Sequence, residues 1–141
     1  DLIAGKVVGI ADGDSFTILA KNNRQERIRL FGIDCPENGQ AFGKAAKQAL
    51  SELIFGKDII IDPKNKDKYG RIVAIVHVGG ININEAMLKK GWAWHFKRYD
   101  SNPAWDRLEK QSRKAGIGLW ADPHPTAPWK YRQSAAQRRK R

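Results

Sequence analysis

"IAGKVVGIADGDSFTILAKNNRQERIRLFGID", residues Ile3 to Asp34, carries the pattern on which the fold turns. Apolar and β-branched residues alternate or cluster in three runs, separated by "ADGD" and "KNNRQ". Clusters of this kind reverse a chain, so the stretch predicts three consecutive strands in a meander. The third strand contains an irregularity. Strict alternation points Ile28 and Leu30 inward and Arg29 outward, but then sends Ile33 out and Asp34 in. A slip at Phe31–Gly32 returns Ile33 to the core and brings Asp34 to the outer side with Arg29. A β-bulge is expected there, because glycine inside a strand often marks one.

The chain continues as "CPENGQAFG", so Arg29, Asp34 and Glu37 crowd the end of one apolar strand. Charges beside a core are costly unless something pairs with them. The placement asks for a metal, a phosphate or a salt bridge.

Downstream, "AFGKAAKQALSELIFG" predicts a helix with Phe42, Ala45, Ala46, Ala49, Leu50, Leu53 and Ile54 on its inner face and Gly56 after its end. "KDIIIDPKNKDKYGRIVAIVHVGG" reads as two strands around a polar turn from Pro63 to Gly70. "NINEAMLKKG" is a short helix capped by Asn82, with Glu85 three residues on and Gly91 closing it. "SNPAWDRLEKQSRKAG" repeats that grammar, with Asn102 as cap, Pro103 at the first turn, Gly116 at the end, and Trp105, Leu108 and Ala115 as inner stripe. "ADPHPTAPWKY" is expected to run extended over the surface. The order β-β-β-α-β-β-α-α suits an α+β fold: a five-stranded OB-type Greek-key β-barrel with three α-helices. An open α+β sheet is the competitor. One domain over residues 1–122 is expected, followed at 123–141 by a proline-containing basic C-terminal extension.

The 141 residues are enough for one real core, and no apolar run approaches the ~20 residues of a membrane helix. A single cysteine excludes an intrachain disulfide and a Cys-rich zinc site. No signal-like segment stands at the N-terminus, so a cytosolic chain or a removed segment are the two expectations. The formal charge of +11 points to a polyanionic partner, nucleic acid first. Part of the excess is local, since Lys130, Arg132, Arg138, Arg139, Lys140 and Arg141 follow Asp122 with no acid among them.

Three short motifs carry the chemistry. "ADGDSF" offers Asp12 and Asp14, "GIDCPE" offers Asp34 and Glu37, and "DKYGR" places Lys68, Tyr69 and Arg71 at a hairpin mouth. Each alone reads as an ordinary turn or polar loop. Taken in order, D-G-D-S, R-L-F-G-I-D-C-P-E and D-K-Y-G-R resemble the thermonuclease (staphylococcal nuclease-like) family, from about Ile3 to Trp120. That resemblance implies a calcium site on Asp14, Asp34 and the backbone carbonyl of Cys35. It implies phosphate-binding arginines at Arg29 and Arg71, a catalytic glutamate at Glu37, and substrate contacts from Lys68, Tyr69 and Tyr99. Hard carboxylate oxygens suit Ca²⁺ or Mg²⁺, and calcium's ~6–8 ligands would leave most of the shell to water and substrate. Glu37 could take a proton from an attacking water, and the two arginines could fork onto phosphate oxygens.

The implied activity is Ca²⁺-dependent hydrolysis of DNA and RNA with little sequence preference, single strands favoured, leaving 3′-phosphate ends. A monomer without membrane attachment, secreted or periplasmic after signal removal, is implied as well. The rival is an OB-fold nucleic-acid-binding module with weak or no catalysis. A basic membrane-surface protein is disfavoured, because no basic amphipathic helix of convincing length is present. Two departures stand out: the family's best-known member has threonine at the position of Cys35, and the loop after Glu37 is shortened to "NGQAFG". His77, His95 and His124 are scattered in sequence. Trp92, Trp94, Trp105 and Trp120 read as core, and Trp129 has no assignment. No residue after Asp122 is expected in the constellation.

Overall fold

Asp12-Gly13 and the Lys21–Asn23 turn reverse the chain as the sequence expects. They divide it into β1 (Ile3–Asp12), β2 (Ser15–Leu19) and β3 (Gln25–Leu30), an antiparallel meander. The structure, a computed structural model, describes residues 1–140. Arg141, grouped above with the basic extension, lies outside the described residues.

The meander's first strand pairs with β5 (Asp58–Lys66), which pairs in turn with β6 (Ile72–Val78). β6 then closes on β3 in parallel, matching Ile28 with Ile72 and Leu30 with Ala74. The result is a closed five-stranded barrel of the OB type within an α+β fold. Val7, Phe16, Ile18, Ile28, Leu30, Ile59, Ile61, Ala74 and Val76 fill it and are all buried. Between β3 and β5 lie the two-residue β4 (Ile33–Asp34) and α1 (Gly43–Ile54). After β6 come β7 (Ile81–Asn82), α2 (Ile83–Lys89), β8 (Trp94–His95), α3 (Pro103–Ala115) and α4 (Pro128–Arg139).

Caps and glycines work as their sequence signals suggest. The Asn82 side chain accepts from the Glu85 N–H at 3.0 Å, and Asn102 accepts from Ala104 at 2.9 Å. Gly116 ends α3 in the left-handed region at φ 64°. That conformation is open to glycine at little cost.

Four local expectations need correction. The fold has four helices, not three: Pro128 opens α4 where an extended surface segment was expected, and proline suits a first helical turn. β5 runs on through Pro63 to Lys66, with a register shift between Pro63 and Asn65. The proline therefore bulges the strand without ending it, and only Asp67–Arg71 turns. On α1, Ala46, Leu50 and Ile54 are buried but Ala45 is exposed, because the face against β1 is narrower than the apolar stripe. On α3 the buried positions are Trp105, Glu109 and Ser112, whereas Ala115 is exposed. Ala115 sits about 80° around the helix from Trp105 at 3.6 residues per turn. The Ser112 hydroxyl is satisfied by donating to the Leu88 carbonyl at 2.6 Å.

The irregularity after β3 is a full turn. The Phe31 N–H still donates to the Ala74 carbonyl of β6 at 2.8 Å, but Gly32, at φ 74°, leaves the ladder and the chain restarts as β4, which pairs with β8. A bulge would have kept Ile33 and Asp34 on β6. The turn moves them to a separate two-stranded sheet at the end of the barrel. Arg29 and Asp34 do share a side, but that side is buried.

Candidate active site

Asp12, Gly13 and Asp14 turn the chain from β1 into β2. Asp12 Oδ1 accepts from the Asp14 N–H at 3.1 Å and from the Ser15 hydroxyl at 2.7 Å, which fixes the turn. Asp14 thereby faces the β4 segment, and its Oδ2 accepts from the Cys35 N–H at 2.7 Å. Gly13 is needed at this contact, since a Cβ there would lie 2.9 Å from that of Cys35.

Arg29 reaches in from β3. Its Nη1 donates to the carbonyls of Leu30 and Ile33, each at 2.9 Å, and lies 3.3 Å from Asp14 Oδ2. Its Nη2 donates to Asp34 Oδ1 at 3.2 Å. One guanidinium thus braces the Phe31–Gly32 turn and joins the two carboxylates. Asp34 is 1% exposed and Asp14 is buried too, so this is a desolvated cluster. Burial pushes the Asp14 carboxyl well above the ordinary carboxylate range; Arg29 opposes this, while Asp12 and Asp34 add to it. Burial also pushes the Cys35 thiol up, with Asp14 next in effect, so the sulfur is a packing group and not a reactive thiolate.

Glu37 sits on the loop between β4 and α1. Its N–H meets Gln40 Oε1 at 3.1 Å, and its carbonyl accepts from the Gln40 N–H at 2.9 Å. Gly43 passes so close that a Cβ would stand 1.9 Å from the Glu37 carbonyl oxygen. Only glycine fits without moving this loop. Phe42, just before it, takes φ 69°, an uncommon conformation for a non-glycine residue. The sole sequence signal for Gly43 was a poor helix former at a helix start.

The decisive addition comes from α4. Arg132 Nη2 donates to Asp34 Oδ2 at 2.7 Å, and Nη1 donates to Glu37 Oε1 at 2.7 Å and to Asp34 Oδ1 at 3.2 Å. Burial lowers the Arg132 pKa, but its hydrogen bonds to Asp34 and Glu37 outweigh that and raise it. Sequence reading placed this arginine in a tail outside the constellation. The structure places it inside, on the first turns of a helix that no local pattern ties to Asp34.

The "DKYGR" residues are built differently. Asp67 Oδ1 accepts from the N–H groups of Tyr69 and Arg71, and Asp67 Oδ2 accepts from Arg71 Nε at 2.8 Å. The Arg71 and Lys68 cations both lie over the Tyr69 ring, at 5.5 and 5.2 Å from its centre. Among the described residues no hydrogen bond or ion pair links Arg71 to Asp14, Arg29, Asp34 or Glu37. Arg27 donates to the Tyr69 carbonyl and ties this hairpin to β3. Tyr99, 62% exposed, packs edge-on against Phe96 with Arg98 over its ring.

His95 is not isolated in space. It is buried on β8, paired with Ile33 in register, and its Nε2 lies 2.7 Å from Asp100 Oδ2. It supports the strand that backs Asp34. Trp129 stacks on Phe96 with ring centres 5.2 Å apart and meets Trp94 edge-on at 5.5 Å. Trp105 and Trp120 are buried as expected.

Among the described residues no group of three or more His, Cys, Asp or Glu side chains forms a ready metal cage. The donor chemistry still suits a hard cation. Asp14 and Asp34 bring two carboxylates into a desolvated site, and a guanidinium already bridges Asp34 and Glu37 as a cation would.

Residues 27–122 match the family described as Staphylococcal nuclease homologue. The chain belongs to that family. It is 41% identical over 128 residues to the "Uncharacterized endonuclease" of Haemophilus influenzae, covering 91% of this chain and 72% of that protein. It is 38% identical over 142 residues to the "Micrococcal nuclease" of Shigella flexneri, covering 93% and 81%. "Protein ParB" of Escherichia coli is 38% identical over 148 residues, covering 97% and 83%. The family match includes β3 from Arg27 onward, β4, Glu37 and Arg71, whereas Asp14 and the whole of α4 fall outside it.

Proposed function

We propose that this staphylococcal nuclease homologue is a calcium-dependent phosphodiesterase that hydrolyses DNA and RNA with little sequence preference. The observation that carries the reading is one juxtaposition. Asp14, Arg29 and Asp34 meet at one end of an OB barrel, held by distances of 2.7–3.3 Å, and Glu37 is joined to Asp34 through Arg132. A nuclease of this family needs ligands for a hard cation, a proton acceptor and a phosphate-binding cation; Asp14 and Asp34 suit the first, Glu37 the second, and Arg71 on the Asp67–Arg71 hairpin the third.

Asp14, Asp34 and the Cys35 carbonyl would hold Ca²⁺, which when bound polarises the phosphoryl group and neutralises charge on it. The protein's own groups do the rest. Glu37 accepts the proton of the attacking water, a role open to it once its carboxylate is free of Arg132. Arg29 positions Asp14 and Asp34, and its bonds to Leu30 and Ile33 keep the corner rigid. Arg71 brings a guanidinium whose Nε is held by Asp67, leaving its terminal nitrogens for phosphate oxygens. Lys68, Tyr69 and Tyr99 offer exposed cation and ring surface along the strand's path. We place Arg71 at the departing oxygen, so that cleavage expels the 5′ oxygen and leaves 3′-phosphate ends.

The test is digestion of 5′-labelled single-stranded DNA with Ca²⁺ and with a chelator. Cleavage is expected only with Ca²⁺, giving labelled fragments whose mobility changes after phosphatase treatment. Fragments ending in 3′-hydroxyl would reverse the orientation, and cleavage in chelator would remove calcium from the reaction. The second reading, a binding module without turnover, is favoured by one observation: Arg132 sits on both Glu37 and Asp34. Retained binding to single strands with no cleavage at any Ca²⁺ concentration would establish it.

A further inference from the structure

Arg132 occupies the carboxylate oxygens that the proposed reaction requires. Its two terminal nitrogens contact both oxygens of Asp34 and Oε1 of Glu37. Its side chain is 41% exposed, so it lies over the corner from the solvent side and has room to leave. Arg29, by contrast, is walled in beneath the same carboxylates.

The helix that carries Arg132 is lightly attached. Ala127 and Pro128 are buried at its start, Trp129 stacks on Phe96, and the Gln40 side-chain amide donates to the Thr126 carbonyl at 2.6 Å. Tyr131 stands beside Gly39, on the same loop that carries Glu37. Beyond Arg132, residues 133–139 are exposed or half-buried and include no buried apolar anchor. Ala127 provides no side-chain cap, and twelve residues make only a marginal helix without tertiary support. Three turns of helix are thus held, among the described residues, only through residues 126–132, by the packing of Ala127, Pro128, Trp129 and Tyr131, the Gln40–Thr126 bond and the ion pairs of Arg132.

We propose that α4 is an autoinhibitory strap, in which Arg132 and a divalent cation compete for Asp34 and Glu37. A guanidinium and a cation cannot both occupy Asp34 Oδ2 and the space between it and Glu37. Binding of the cation therefore requires Arg132 to swing away, and the docked arginine lowers apparent cation affinity by its docked population. While docked it also blocks Glu37 from accepting a proton. Release frees a helix with Lys130, Arg138, Arg139 and Lys140, and no acid, beside the site. This inference rests on the cation reading above.

The experiment is calorimetric titration of the full chain with CaCl₂ without nucleic acid, comparing wild type, Arg132→Gln and Trp129→Ala. Hydrogen exchange of residues 128–139 is followed in parallel. Arg132→Gln should bind Ca²⁺ about tenfold tighter, which corresponds to about 1.4 kcal/mol. Trp129→Ala keeps the arginine and loosens its anchor, so it should shift affinity in the same direction by a smaller factor. In wild type, Ca²⁺ should speed exchange across α4. Cleavage by Arg132→Gln should exceed wild type at limiting Ca²⁺ and converge with it at saturation. Equal or weaker Ca²⁺ binding by Arg132→Gln would overturn the strap and leave the cation reading standing. A fall in its turnover at saturating Ca²⁺ would also overturn it, making Arg132 a catalytic group. No Ca²⁺ uptake by any of the three proteins would remove the cation reading and the strap together.

Discussion

The barrel-end corner and the Asp67–Arg71 hairpin each set an arginine against a carboxylate, but hold it by opposite means. In the corner, Arg29 is 13% exposed and bonded to two backbone carbonyls and two buried aspartates. In the hairpin, Arg71 is about twice as exposed, at 27%, and is held by one aspartate four residues away. A buried pair is costly to form and very costly to break, whereas an exposed local pair is worth little. The corner is therefore part of the fold's stability, and the hairpin can be altered without unfolding anything. Geometry that must not move was placed where the core enforces it.

Arg29→Ala breaks the comparison most directly. It leaves Asp14 buried with no paired cation among the described residues and Asp34 paired with Arg132 alone, and should cost roughly 3–5 kcal/mol in urea unfolding. Arg71→Ala, assayed in the same way, should stay within about 1 kcal/mol of wild type while lowering turnover. Equal losses in the two variants would erase the distinction drawn here.

Asp34→Asn comes next. It removes a charge contacted by both Arg29 and Arg132, and cleavage of single-stranded DNA should fall roughly a hundredfold to a thousandfold. Circular dichroism should still report a folded barrel, because Asp14 continues to pair with Arg29. Parent-rate cleavage at saturating Ca²⁺ would take Asp34 out of the reaction.

A smaller effect is expected from Gly43→Ala. The new methyl collides with the Glu37 carbonyl and must displace the loop, at a cost of roughly 1–3 kcal/mol. Turnover should drop with little change in single-strand affinity, since Glu37 moves and the arginines do not. Unaltered kinetics would mean that the loop relaxes without shifting Glu37.

The smallest effect concerns acid. Burial opposes ionisation of Asp67, but the backbone and side-chain hydrogen bonds from Arg71 and Tyr69 outweigh it and lower its pKa. A lowered folded pKa gives stability that is present above the ordinary carboxylate range and is lost as pH falls through the folded value. For so exposed a pair the contribution is below about 1 kcal/mol. The stability difference between wild type and Asp67→Asn should thus shrink from pH 6 to pH 3, as read from urea midpoints. A constant difference across that range would mean that Asp67 acts by shape and not by charge.

What was legible from the sequence has a common physical origin. Asn82 and Asn102 announce helix starts because their side chains satisfy nearby N–H groups, an interaction complete within four residues. Gly32 announces a break after β3 because its conformation suits glycine. The alternation in β1 to β3 reports a surface with one buried face. The first two motifs placed Asp14, Arg29 and Asp34 together, since the β1–β2 turn, the end of β3 and β4 meet at one barrel end. The bulge that became a turn, and the exposed Ala45 and Ala115, mark where local pattern stops. Which residues of a stripe are covered depends on the element packed against it.

By itself, then, the sequence determined the meander, the capped helices, the family and the residue types at the corner, because those depend on short-range geometry. Tertiary structure alone decided that β6 closes on β3, that Trp129 finds Phe96, and that Arg132 reaches Asp34 across 98 positions of chain. A contact that distant has no period and no neighbouring cap to announce it. It depends on the tertiary fold, which gathers Asp34 and Glu37 beside α4, and an exposed arginine on a basic helix reads the same in sequence whether it meets solvent or that corner.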